Sequence, residues 1–289
     1  MNGKIIAELS LPLRRSQTGR QMLQNRTMML GMGLLGIILL LALFGPIIVP
    51  NDPLTVQMGE RLLSPSWQYP LGTDHLGRCI FTRLVIGAQL TLGISAIVIV
   101  TVIILGVPLG LISGYIGGRF DSIIMRLVDG MGALPEFIFA IAFAGFLGPS
   151  LPNLIFAIVL VKWIGYARVV RSVALSEREK EYVLAAKVAG CSTWTILHRH
   201  LLPQIISPVI VLAALDIGKI IMIISMLSYL GLGAQPPTPE WGAMLNDGRP
   251  YFQSAPQLMI YPGLAIMAIV IACNLLGEGL REALDVRSR

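Results

Sequence analysis

Long apolar runs alternate with shorter polar segments along this chain of 289 residues. Because about 20 consecutive apolar residues form a helix that spans a bilayer, each long run is a candidate membrane helix. Six such runs occur, at about residues 28–49, 90–111, 123–147, 151–170, 205–232 and 258–280. The pattern predicts an all-α membrane protein with six transmembrane helices and with both termini on the same side.

Composition agrees with this pattern, since 55% of the residues are hydrophobic and only 13% are charged, against about 25% in soluble domains. Lysine and arginine concentrate in the N-terminal arm, between the fourth and fifth runs, and at the C-terminus. Cytoplasmic loops carry such an excess, so these three segments are predicted to be cytoplasmic. Orientation accounts for the net charge of +6 without nucleic acid, and the basic arm is expected to contact membrane lipids.

The same pattern divides the chain into four parts. Residues 1–27 are predicted to form a cytoplasmic arm, and residues 28–83 the first transmembrane helix with a long outer loop. Residues 84–281 form a five-helix core, and residues 282–289 a cytoplasmic tail. The core contains a polar segment, residues 177–203, between the fourth and fifth apolar runs of the chain.

A short helix is predicted inside this polar segment at EYVLAAKVAG, residues 181–190. Ser176 is a candidate N-cap, and Gly190 stands where a left-handed residue ends a helix. Ser192 is predicted to cap a second short helix, which Pro203 limits because proline disrupts a helix interior. The expected structure is a helix, a glycine turn and a helix.

Small residues lie at helical spacing on one face of the first of these helices. Tyr182, Ala185, Ala186 and Ala189 share that face because residues three or four apart are neighbours on a helix. Small side chains let another backbone approach closely, so this face is predicted to dock on a cytoplasmic partner. The alternative is an ordinary connecting loop with some helical content.

Ionisable residues inside the apolar runs are the candidates for chemistry. Asp216 and Lys219 lie three apart in the fifth run, where a single charge costs at least ~2.5 kcal/mol. They form either a structural pair or a polar lining of a translocation pathway, in which Asp216 suits a cationic or amine-bearing substrate. Lys162 is expected near the cytoplasmic end of its run, extending to the headgroups. Asp129 and Glu136 flank a helix break expected at Pro135 and are assigned to helix packing.

Glycines inside the runs, such as Gly106, Gly145 and Gly263, have two explanations. Small residues let membrane helices pack closely, and glycines also serve as hinges in a transport cycle. Close packing is the explanation that we adopt as the prediction.

The sequence indicates neither a metal site nor a catalytic motif. His198 and His200 are two apart and do not share a helix face, and His75 has only Cys79 near it in sequence. No protein-built metal site is predicted. The chain also lacks the G-x-x-x-x-G-K-[ST], H-E-x-x-H and G-x-S-x-G patterns, so no catalytic residues and no enzyme activity are predicted.

Four stretches resemble one family of transport proteins. LAAKVAG followed by LLP is similar to the cytoplasmic signature of ABC-importer permeases, although Leu184 replaces its usual Glu and His200 its usual Ile. LGTDHLGRCIFTRLVIGAQLTL, YLGLGAQPPTPEWGAMLNDGR and NLLGEGLREALD resemble the dipeptide, oligopeptide and nickel branch, with Cys79 in place of an Asp. The resemblance covers nearly the whole chain and fits the second of the two permease subunits.

The resemblance implies a type I ABC-importer permease fold in a bacterial inner membrane. The implied partners are a homologous second permease, two ATPase subunits that bind ATP and Mg²⁺, and an extracytoplasmic solute-binding protein. The implied cargo is nickel or a metal chelate, which KWIGYARVVRS and LDIGKII favour, with dipeptides or oligopeptides as the alternative. An intramembrane enzyme and a stand-alone secondary transporter are the rival functions.

The resemblance also assigns roles to residues. The segment that docks on the ATPase is implied to use Glu181, Tyr182, Ala185, Ala186, Gly190 and Pro203. At the outer face, Asp74, Arg78 and Trp241 are candidates for docking the solute-binding protein, with a rigid interfacial hairpin as the alternative for the loop that contains Trp241.

Overall fold

The computed structural model describes residues 26–49 and 51–284, and the regular elements in that part of the chain are helices. In chain order they are α1 (Arg26–Ile48), α2 (Ile80–Ile116), α3 (Gly118–Gly132), α4 (Glu136–Leu147), α5 (Leu151–Arg178), α6 (Glu181–Val188), α7 (Leu202–Tyr229), α8 (Trp241–Gly248) and α9 (Gln257–Leu284). A helical turn at Thr193–Thr195 and a π-helical turn at Ile196–Leu201 lead directly into α7. The predicted arm up to residue 25 and the tail from residue 285 lie outside the described residues.

The helices that contain the long apolar runs account for the predicted membrane spans. Among the described residues, five helical stretches are long and apolar enough to cross a bilayer, and the bent pair of α3 and α4 makes a sixth if the pair is one span. The prediction of an all-helical membrane protein is therefore confirmed, and five to six candidate spans are compatible with the predicted six. The third predicted span corresponds to two helices, α3 and α4, which meet at an angle of 88°.

The break in the third span lies where the sequence predicted it. Pro135 precedes α4 with an extended backbone, at φ −57° and ψ 127°. Proline has no amide hydrogen, and its ring disfavours helical backbone at the preceding residue. The helix therefore stops after Gly132 and starts again at Glu136.

Helix α5 lies at the centre of the bundle, packed against α2, α4 and α7. Three glycines of α2, at positions 106, 110 and 114, face it along one seam. A Cβ atom on Gly110 would lie 2.5 Å from the carbonyl oxygen of Ala167, so the two backbones touch. Close packing is thus confirmed for Gly106, whereas a Cβ on Gly145 or Gly263 would meet nothing within 4 Å in this chain.

Helices α2 and α5 extend beyond their apolar runs. Each includes an arginine that is buried or hydrogen-bonded within the protein. Helix α2 begins at Ile80, ten residues before the predicted start, and its Arg83 lies buried near Asp74 and Asp247 at 3.6 and 3.7 Å. Helix α5 continues to Arg178, whose guanidinium donates to the carbonyl of Gly114 at 3.1 Å. Ser176 is consequently inside α5, and the prediction that it caps the next helix was wrong.

Candidate functional site

Helix α6 forms a compact turn at one end of the bundle, which we call the α6 end. It begins after Lys180, and Gly190 follows it with a φ of +79°, the left-handed conformation that the sequence predicted. The amide of Cys191 donates to the carbonyl of Ala186 at 3.0 Å and closes the turn. Ser192 then caps the next turn as predicted, because its hydroxyl accepts from the amide of Thr195 at 3.2 Å.

The second short helix differs from the prediction. It does not end before the next span but continues through a π-helical turn into α7, with Pro203 in the first turn of α7. A proline ring clashes with the carbonyl four residues earlier in a regular helix. The π-helical turn just before Pro203 is the irregularity that accompanies the proline.

The faces of α6 also differ in part from the prediction. Val183 and Ala186 are buried against the bundle, so Ala186 does not belong to the exposed face. Glu181 and Ala185 are exposed as predicted. Large apolar side chains are exposed beside them, and we call this set the apolar patch: Tyr182, Leu184, Val188 and Trp194. Val188 is the most exposed of them, at 90%.

Polar contacts attach α6 to the two helices behind it. Glu177 of α5 accepts hydrogen bonds from the Tyr182 hydroxyl at 2.7 Å and from the Lys180 ammonium at 2.6 Å. Burial and the hydrogen bond to Glu177 raise the pKa of Tyr182 to about 12, so its phenol is a neutral donor at physiological pH. The Lys187 ammonium lies 5.3 Å from the ring centroid of Tyr115 in α2, a cation–π contact.

Four ionisable side chains meet inside the bundle, and we call them the charged cluster: Glu136, Lys162, Asp216 and Lys219. The Lys162 Nζ lies 2.7 Å from Glu136 Oε1 and 3.7 Å from Asp216 Oδ1. The Lys219 Nζ lies 3.5 Å from the same Asp216 oxygen. The predicted pair of Asp216 and Lys219 is therefore present, but it is one half of a row of alternating charges.

Helices α4, α5 and α7, which carry the cluster, place it at a similar depth in the membrane. A rise of 1.5 Å per residue puts Glu136 about 17 Å from the end of α4 at Leu147, and Lys162 about 17 Å from the start of α5 at Leu151. Asp216 lies about 20 Å from the end of α7 at Tyr229. These distances are near the middle of a hydrocarbon core of about 30 Å. Lys162 is buried there, so the prediction that it extends to the headgroups was wrong.

A cavity of about 380 Å³ opens beside the cluster. Apolar residues at the end of α3 and in the break that follows it line part of the cavity, together with residues of α5 and α7: Met131, Leu134, Val161 and Leu212. Non-helical backbone at membrane depth is tolerated where it lines a cavity. Asp129, by contrast, pairs with Arg168 at 3.0 Å and joins α3 to α5, in keeping with the packing role predicted for it.

The three outer-face candidates lie at the opposite end, which we call the α8 end. Arg78 Nε contacts Asp74 Oδ2 at 2.7 Å, and both side chains are buried. Trp241 is buried too, and its indole donates to the carbonyl of Leu84 at 2.9 Å. The prediction that these side chains meet a partner directly is corrected, since they hold the α8 end together instead.

Glu240 completes this structural role at the α8 end. Its carboxylate accepts from the amides of Gly242 and Ala243, both at 3.0 Å, and so caps α8. Burial raises the pKa of Glu240, although these amides and the Thr91 hydroxyl favour its charged form. Nearby, His75 stacks on Tyr251 with ring centroids 4.8 Å apart. Across the described residues, no three His, Cys, Asp or Glu side chains are grouped so that they could hold a metal ion.

Comparison with known proteins gives two family matches. Residues 106–289 match the family described as the binding-protein-dependent transport system inner membrane component. Residues 15–65 match the N-terminal TM domain of oligopeptide transport permease C.

Individual relatives carry two kinds of name. The chain is 40% identical over 270 residues to the dipeptide transport system permease protein DppC of Alkalihalophilus pseudofirmus, covering 93% of this chain and 89% of the relative. It is 41% identical over 252 residues to the nickel transport system permease protein NikC of Escherichia coli K12, covering 87% and 91%. A DppC of Haemophilus influenzae is 38% identical over 268 residues, covering 91% of both chains.

Proposed function

The chain belongs to the family of binding-protein-dependent transport system inner membrane components. It is a permease subunit of an ABC importer rather than an enzyme, and we propose the following arrangement for it. It pairs with a homologous second permease to form the pathway. Two ATPase subunits, which bind ATP and Mg²⁺, dock at its α6 end. A solute-binding protein delivers cargo at its α8 end. The α6 end and both termini face the cytoplasm, as the distribution of lysine and arginine favours.

The observation that carries the docking proposal is the apolar patch. Its members are exposed although three of them lie on α6, which is anchored by Glu177 and Lys187, and Trp194 lies on the turn that follows. Contiguous exposed apolar surface marks interaction sites in proteins. Leu184, which replaces the usual Glu of the signature, is 44% exposed and adds to this surface, so the departure from the motif changes the chemistry of the contact towards apolar packing.

For the cargo, the sequence favours nickel or a metal chelate, with dipeptides or oligopeptides as the alternative. The relatives are named for nickel and for dipeptides. The charged cluster supplies both carboxylates and ammonium groups beside a cavity at mid-membrane depth. We therefore place the pathway along this cavity.

The docking proposal is tested with Val188→Glu. A carboxylate in a desolvated apolar contact costs several kcal/mol, so we expect co-purification of the ATPase subunits to fall at least tenfold, together with ATP hydrolysis by the complex. The fold is expected to persist because Val188 is 90% exposed.

Val56→Glu is the matched control, since Val56 is an exposed valine in the loop between α1 and α2. It is expected to leave ATPase binding unchanged. Wild-type levels of bound ATPase in the Val188→Glu complex would refute docking through the apolar patch.

A further inference from the structure

We propose that the charged cluster is a transient binding site for a short zwitterion, one that carries a free ammonium and a free carboxylate, as a dipeptide does. The inference rests on the proposed function, because it takes the cavity beside the cluster to be part of the pathway. It goes further in naming the chemical class of the cargo and the residue that receives each end of it.

The two inner members of the cluster, Lys162 and Asp216, neutralise each other and have little capacity left to bind a ligand. The Lys162 ammonium contacts two carboxylates, and its side chain is only 6% exposed. The Asp216 oxygen contacts two ammonium groups, and that side chain is 11% exposed. A buried charge is stable only when it is paired in this way. The inner pair therefore serves as the fixed support of the site.

The two outer members are different, because each keeps an exposed charge with one partner in the described part of the chain. The Glu136 side chain is 45% exposed and pairs with Lys162 alone. The Lys219 side chain is 65% exposed, and its 3.5 Å contact with Asp216 is longer than a charge-assisted hydrogen bond of about 2.7–2.9 Å. Glu136 can thus accept a hydrogen bond from an ammonium, and Lys219 can donate to a carboxylate.

The geometry limits the length of the ligand. The three contacts of the cluster share atoms, so Glu136 Oε1 and Lys219 Nζ lie at most about 10 Å apart, and an extended chain covers ~3.5 Å per residue. A molecule of two residues, about 7 Å long, with a hydrogen bond of about 2.8 Å at each end, is long enough to bridge that separation. The adjoining cavity of about 380 Å³ lies in the range of small-molecule sites, and its apolar lining can accept side chains of different size.

The charge balance argues for a zwitterion over a bare ion. The cluster contains two carboxylates and two ammonium groups, so it has no net charge to attract a free cation or a free anion. A zwitterion satisfies both outer members at once.

The test measures binding of radiolabelled Ala-Ala to the purified importer complex in lipid nanodiscs, without the solute-binding protein. We expect saturable binding that unlabelled Ala-Ala displaces about tenfold better than N-acetyl-Ala-Ala or Ala-Ala amide, since each blocked peptide loses one charged hydrogen bond. Ni²⁺ is offered as a further competitor.

Two variants assign the ends of the ligand. In Glu136→Gln, Ala-Ala should bind about tenfold more weakly and lose its advantage over N-acetyl-Ala-Ala while keeping its advantage over the amide. Lys219→Gln should show the reverse selectivity. A variant that only perturbs the fold would weaken all three peptides equally, so this crossed pattern distinguishes a binding role from a structural one.

Three results would overturn the inference: no saturable binding of Ala-Ala, equal competition by the blocked peptides, or displacement by Ni²⁺ at lower concentrations than Ala-Ala. The proposed function fails by a different result, the Val188→Glu complex that still binds its ATPase subunits. The two failures are therefore separable.

Discussion

Single residues inside the bundle determine where charge is tolerated, and Lys162 is the central one. It is the only group in the charged cluster that contacts two carboxylates. Removing one partner of a buried ion pair leaves an uncompensated charge, which typically costs 3–5 kcal/mol. Because Asp216 keeps its contact with Lys219 and Glu136 is 45% exposed, we expect Lys162→Met to destabilise the complex by at most about 3 kcal/mol, the lower end of this range. The change is measured as a lower midpoint of thermal unfolding in nanodiscs.

Lys219→Met is the matched control, because this lysine is 65% exposed and belongs to the same cluster. Exposed ion pairs contribute about 1 kcal/mol or less, so its midpoint should stay close to that of the wild type. Adding Glu136→Gln and Asp216→Asn to Lys162→Met removes the stranded carboxylates and should restore much of the lost stability. Equal midpoints for the two lysine variants would contradict the central position of Lys162.

The sequence predicted half of this cluster, and the missing half has a physical reason. Asp216 and Lys219 were recognisable because charge within an apolar run is costly and the two residues lie three apart. Lys162 was placed at the wrong depth, since α5 extends to Arg178 beyond its apolar run. Its partner Glu136 comes from the far side of the break at Pro135, and hydropathy contains no information about which helices a broken span brings together.

At the scale of elements, the seam between α2 and α5 depends on the absence of side chains. A Cβ on Gly110 would lie 2.5 Å from a backbone oxygen of α5, which cannot move away without the helix. Gly110→Ala is therefore expected to lower the free energy of unfolding by about 1–3 kcal/mol, as overpacking does. Thermal unfolding of the purified complex measures the change.

Gly93→Ala tests the same substitution in the same helix at an open position, where a Cβ meets nothing within 4 Å. Alanine is a better helix former than glycine by up to about 1 kcal/mol, so this variant should be neutral or stabilising. The seam would not be the cause if both variants lost stability equally.

Element boundaries show what hydropathy can and cannot predict. Among the described residues, hydropathy identified the helices that are long and apolar enough to span a bilayer, because length and apolar composition suffice for that. It missed the early start of α2, since Arg83 is buried through ion pairs and through the carbonyls of Pro53 and Pro237, from distant parts of the chain. Trp241 was misassigned for the same reason, as its partner Leu84 is far away in sequence. Partners distant in sequence decide these positions.

At the scale of the whole molecule, α5 is a continuous connection between the α6 end and the charged cluster. Lys162 lies about 24 Å from the end of the helix at Arg178, at 1.5 Å per residue. Arg171 is bound to Asp121 of α3 by two hydrogen bonds of 2.5 and 2.6 Å. A movement imposed on α6 is therefore expected to reach the cluster through α5 as a rigid rod, together with α3.

Breaking this rod should separate ATP hydrolysis from transport. Ser172 is exposed and lies within α5 between Lys162 and Arg178. Proline there removes a backbone hydrogen bond and clashes with the preceding turn, at a cost of about 3 kcal/mol, whereas Ser172→Ala keeps the helix intact. In proteoliposomes, Ser172→Pro should retain ATPase binding because the apolar patch is unchanged, but uptake of Ala-Ala and of nickel per ATP hydrolysed should fall at least fivefold.

Ser172→Ala should match the wild type. If the proline variant transports as much cargo per ATP as the alanine variant, α5 does not transmit the movement, and the connection must run through α7, the other long helix that joins the α6 end to the cluster.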